Sequence, residues 1–121
     1  MPGTPPPSIT GASFSGTSAD PTITVTGSGF GSSPPIGTPE TCQSGDTGDD
    51  YGSSGLWFSD ATQGGWTAGQ AGDCIGLIVS SWSGSQVVYG FGNEYANYPA
   101  IQSGDQVEVD VQGATFSGPL T

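Results

Sequence analysis

The stretch CIGLIVSSWSGSQVVYGF, Cys74–Phe91, decides the fold class. Its first part, Cys74–Ser80, is the most apolar run of the chain, and a period of two puts Ile75, Leu77 and Val79 on one face. Ser83-Gly84-Ser85 supplies turn residues, and Gln86–Phe91 resumes with β-branched and aromatic side chains. The stretch therefore predicts a central strand, a tight turn and a second strand, which is a β-hairpin.

Working outward, the same pattern recurs. Thr22–Thr26 (TITVT) alternates cleanly and is broken by Gly27-Ser28-Gly29-Phe30-Gly31. Ser8–Phe14 alternates weakly, Leu56–Ser59 is short and apolar, and Ala114–Gly118 is expected to close the sheet edge. Ser103-Gly104-Asp105 turns into Gln106–Val111, where Val107, Val109 and Val111 alternate with Gln106, Glu108 and Asp110. Such a segment faces a core on one side and water on the other. Residues 32–55, with Pro34, Pro35 and Pro39 among Gly, Ser and Asp, read as a long loop, and residues 64–73 as a second. No segment carries helical periodicity or spans a membrane's thickness. About seven short strands set off by turn residues predict an all-β sandwich. It forms a single domain over residues 8–121, after a proline-rich lead at 1–7.

Composition then removes most functions. The chain has no Lys, Arg or His and eleven Asp or Glu, for a formal charge of −11. Nucleic-acid binding needs cations against phosphate, and attachment to anionic membranes needs a polybasic patch, so neither is expected. A His-based triad, a lysine Schiff base and an arginine clamp are chemically absent. Paired carboxylates could in principle serve a glycosidase, but so small a sandwich does not enclose a substrate cleft, and no enzyme is expected. Cys42 and Cys74 fit one disulfide in an oxidising compartment, worth about 3 kcal/mol by loop closure, or two free thiols. If formed, the bridge pins the long loop. No signal-peptide pattern is present, and an exported domain would have lost one.

The order of these motifs resembles the IPT/TIG family of immunoglobulin-like domains. The matching pieces are Pro7-Ser8-Ile9, Ile23–Gly31 with its TGSGFG, LWFSDAT at 56–62, Ile78–Ser83 leading into Gln86-Val87-Val88, and Gly104–Val109. They cover most of the chain outside residues 32–55, where many members have a much shorter link. The resemblance implies a seven-stranded immunoglobulin-like sandwich of the kind used in secreted bacterial surface proteins and polysaccharide-degrading enzymes. The DNA-binding branch of such domains uses basic loops, which have no counterpart here.

Two constellations are candidates for binding. Asp46, Asp49 and Asp50 in SGDTGDDYG, with Asp60 after LWFS, form an oxygen-rich set that suits calcium, or else a solvated acidic loop. Trp66, Tyr95 and Tyr98, with Trp57 and Tyr51, are aromatics that could stack on sugar rings or else pack in the core. Trp66, Tyr95 and Tyr98 are the ones expected to be exposed. Trp82 is expected to pack at the hairpin, and Trp57 and Phe58 are expected to face opposite ways.

The expectation is a monomeric, noncatalytic extracellular accessory module that binds polysaccharide or contacts neighbouring domains. The alternative is a structural spacer, or an engineered scaffold free of Lys, Arg and His derived from such a domain.

Overall fold

In the computed structural model, described over residues 6–39, 48–52, 55–70 and 74–121, alternating apolar segments pair into two antiparallel sheets. The strands are β1 (Ser8–Gly16), β2 (Pro21–Ser28), β3 (Thr38–Pro39), β4 (Asp49–Asp50), β5 (Leu56–Asp60), β6 (Trp66–Ala68), β7 (Leu77–Trp82), β8 (Gln86–Phe91), β9 (Gln106–Val111) and β10 (Ala114–Pro119). One sheet has the order β1-β2-β8-β7-β4-β3 and the other β10-β9-β5-β6. Without the two-residue strands β3 and β4, the first sheet has the ABED order of an immunoglobulin domain. The second has its GFC order, extended by β6. The all-β sandwich expected from alternation is what forms.

Inward faces build the core. Ile23 and Val25 of β2, Leu56 and Phe58 of β5, Val87 and Tyr89 of β8, and Val107, Val109 and Val111 of β9 are all buried. Complete burial of such a side chain stabilises by about 1.5–3 kcal/mol, which makes these rows the chief source of cohesion. Trp57 and Phe58 do face opposite ways, Phe58 into the core and Trp57 half-buried on the outer face.

The TGSGFG stretch is a corner around Phe30. Gly29 and Gly31 have φ of 77° and 85°, which suits glycine, and between them Phe30 turns fully inward. Trp82 Nε1 donates to the Phe30 carbonyl at 3.1 Å, so Trp82 packs the β7–β8 hairpin against this corner. Ser83 fixes the hairpin turn, its Oγ accepting from the amide of Gln86 at 3.1 Å.

Three boundaries differ from expectation. The strand expected at Cys74–Ser80 starts at Leu77, because Cys74 takes a φ of 68° that no strand residue holds, although Ile75 still reaches the core. The loop at 64–73 contains β6, and residues 32–55 contain β3 and β4, whose contact with β7 is the single pair Asp49 and Leu77. NEYAN, Asn93–Asn97, is a 3₁₀ turn between β8 and β9.

At the chain's far end Thr121 joins the open edge of β1. The Phe14 amide donates to its carbonyl at 2.9 Å and its own amide donates to the Ala12 carbonyl at 3.2 Å, a parallel pairing that links the two sheets.

Candidate functional site

The aromatic residues that stand out in the sequence gather inside the molecule. β5 sends Phe58 inward, β6 sends Trp66, β8 sends Tyr89 and Phe91, and the 3₁₀ turn adds Tyr95 with Tyr98 beside it. Their ring centroids lie 5.2–6.1 Å apart, mostly edge-to-face or tilted. Trp66 is 8 % exposed and Tyr95 5 %, which corrects the expectation that both stand open to a ligand. Their polar ends are satisfied internally. Trp66 Nε1 donates to the Pro99 carbonyl at 3.0 Å, and the Tyr95 hydroxyl donates to the Ser18 carbonyl at 2.7 Å while accepting from the Ile101 amide. Neither ring offers a face to a sugar. Tyr98 is half-buried against Trp66 and is not the fully exposed platform expected of it.

Among the described residues the proposed calcium ligands do not come together. Asp46 and Cys42 lie outside the described residues. Asp49 and Asp50 are neighbours on β4, and strand alternation sends their side chains to opposite faces. The Tyr51 phenol is raised by burial and then by the nearby charge of Asp49. Asp60 ends β5, about 13 Å along the strand from Leu56 and the β4 side of the fold, and it points inward. Among the described residues no group of three or more Asp, Glu, His or Cys could hold a metal ion.

Asp60 instead meets Asp105. Both are buried, at 0 % and 5 % exposure, and Gln63 bridges them, its amide donating to Asp60 Oδ1 at 3.1 Å and its Nε2 lying 3.4 and 3.2 Å from the two Asp105 oxygens. Two carboxylates drawn together in a buried place repel each other, which favours a proton on one of them. Burial and then the hydrogen bond to Asp105 push Asp60 up to about 7. Asp105 is held below the usual range: burial opposes ionisation, but hydrogen bonds from Asp60, the Gln102 amide and the Gln63 side chain outweigh it. Sequence reasoning took Asp105 only as a turn residue. The available signal was alternation, because Leu56, Phe58, Asp60 carries an aspartate onto the core face of β5.

Trp57 remains as a surface aromatic with polar company. It stands on the outer face of the four-stranded sheet opposite Asp110, with Ser59 opposite Glu108 in the next row. Asp110 is itself buried and raised by burial, then by the Glu108 charge, although the Gly113 amide donates to its Oδ1 at 3.2 Å. No cavity opens among the described residues. In comparisons with known proteins, no family model, curated protein or solved structure matches this chain.

Proposed function

We infer that the chain is a noncatalytic structural module of a larger extracellular protein, an immunoglobulin-like spacer of the IPT/TIG kind. The observation that carries this reading is the way the chain runs through the domain. It passes into β1 at Ser8, beside Ser28, and Thr121 runs parallel to β1 at the level of Ala12 and Phe14, heading toward the Gly16 end. The backbone thus runs into β1 at one pole of the sandwich and, after β10, toward the other, a path compatible with a spacer. The spacer is also supported by the inward aromatics, which leave no row of exposed rings for a polysaccharide. A formal charge of −11 keeps such units soluble and apart. A disulfide between Cys42 and Cys74 belongs to this reading, as the staple of the long loop in an oxidising compartment.

The test is a tandem of two copies joined from Thr121 to Pro6 and studied by small-angle scattering. An extended rod nearly twice the length of one domain supports a spacer. A folded-back dimer of unit length contradicts it.

A second reading rests on Trp57. A half-buried indole beside Ser59, Glu108 and Thr67 on the outer sheet face suits a sugar ring better than any other surface described. Saturable binding in a polysaccharide panel, lost in Trp57→Ala, would make the module a carbohydrate-binding accessory domain. Silence across the panel leaves the spacer.

A further inference from the structure

We propose that Asp60 and Asp105 form a proton-operated latch at one pole of the sandwich, closed while they share one proton and loosened when that proton leaves. The geometry defines two halves. Asp60 holds the β5–β6 turn: the Gln63 amide donates to its Oδ1 at 3.1 Å and the Gly65 amide to its backbone carbonyl at 2.8 Å. Asp105 holds the approach to β9 and the last residues of the chain. The Gln102 amide donates to its Oδ2 at 3.0 Å, and the Leu120 amide donates to its backbone carbonyl at 2.9 Å. Gln63 crosses between the halves, its Nε2 3.4 and 3.2 Å from the two Asp105 oxygens.

Asp60 Oδ1 is taken by Gln63, and its buried Oδ2 meets no N–H or O–H donor. In the latch, Oδ2 is the oxygen that takes the proton and turns it toward Asp105. From the elements packed around it, β6 and β9 bring Trp66 and Val107, neither of which titrates, and the 3₁₀ turn brings the Tyr95 phenol. No Lys, Arg or His side chain exists in the chain to replace the proton. Loss of the proton would leave two buried like charges in contact with no counter-ion.

The sign follows from linkage. The folded state holds a proton on Asp60 that the unfolded state has released above about pH 4, so opening becomes easier as pH rises from there to about 7 and levels off above it. Asp105 contributes the other way, but its window lies below the ordinary aspartate range.

The test is hydrogen exchange on the whole chain at the Gln63 and Gln102 amides, corrected for base catalysis, from pH 5 to 8. The latch predicts protection falling by up to about tenfold per pH unit to pH 7, the limit for release of one proton. Asp60→Asn retains an acceptor for Gln63 and gains a permanent donor toward Asp105, so its protection should be flat and higher than wild type at pH 8. An unchanged slope in Asp60→Asn would overturn the proposal. Should that variant fail to fold, the Asp60 carboxyl carbon of the wild type decides by NMR: titration near pH 7 supports the latch and titration below about 5 refutes it.

Discussion

Replacing Tyr89 by phenylalanine should make this protein more stable. Tyr89 is fully buried between the sheets, and its hydroxyl has no hydrogen-bond partner in the structure. Burial, followed by the charge of Asp110, raises its phenol far above the ordinary value, so the group stays neutral and gains nothing by ionising. An unpaired buried hydroxyl costs about 1–3 kcal/mol, measured by what its removal restores. Tyr89→Phe deletes that group and keeps the ring, including its edge-to-face contact with Phe91 at 6.1 Å. The small void left by one oxygen takes back part of the gain, so the net expected is about 1–2 kcal/mol. For a chain of this length that corresponds to a rise in Tm of roughly 3–10 °C. Urea unfolding followed by circular dichroism gives the free energy directly, provided the slope with denaturant is unchanged. A loss of 1 kcal/mol or more would refute the reasoning, because it would mean that the hydroxyl is satisfied in the folded protein.

Other variants probe different parts of the account. Gly69→Ala should cost more than about 2 kcal/mol: its φ is 91°, and an added Cβ would sit 2.8 Å from the Leu56 carbonyl and 2.7 Å from Leu77, which thermal melts will reveal. Asp110→Asn keeps an acceptor for Gly113 and removes a desolvated charge beside Glu108, so it should raise the Tm at pH 7, and a fall would contradict the burial argument. Raising NaCl from 10 to 150 mM shortens the screening length from about 30 to 8 Å, which should stabilise a chain with eleven acids and no cations; a flat melt would show the acids to be independent. An intact mass two hydrogens short, with a lower Tm on reduction, is expected for the Cys42–Cys74 bridge, and a full complement of hydrogens would remove it.

The sheets were legible because each strand has one dry face and one wet face. Val107, Val109 and Val111 against the exposed Gln106 and Glu108 leave only one orientation for β9, and Ile23 with Val25 does the same for β2. The short β6 was not legible: Trp66-Thr67-Ala68 alternates over too few residues, and flanking glycines read as loop. The site was harder for a related reason. An aromatic in a glycine-rich segment looks exposed when only its neighbours in sequence are considered, yet Trp66 is buried because β6 pairs with β5 and turns it onto Phe58. Asp60 sat on the core face by simple alternation, but its partner Asp105 comes from a distant turn and is brought there only by the pairing of β5 with β9. Local pattern reports which face a residue takes and is silent on what waits there.

The claim that the aromatics serve the fold and not a ligand is tested most directly by NMR of the three tryptophan indole N–H groups during titration with soluble polysaccharides and calcium. The account predicts slow solvent exchange for Trp66 and Trp82, whose indoles are bonded to the Pro99 and Phe30 carbonyls, and no saturable shift in either. A saturable shift at Trp66, or rapid exchange of its indole proton, would contradict it.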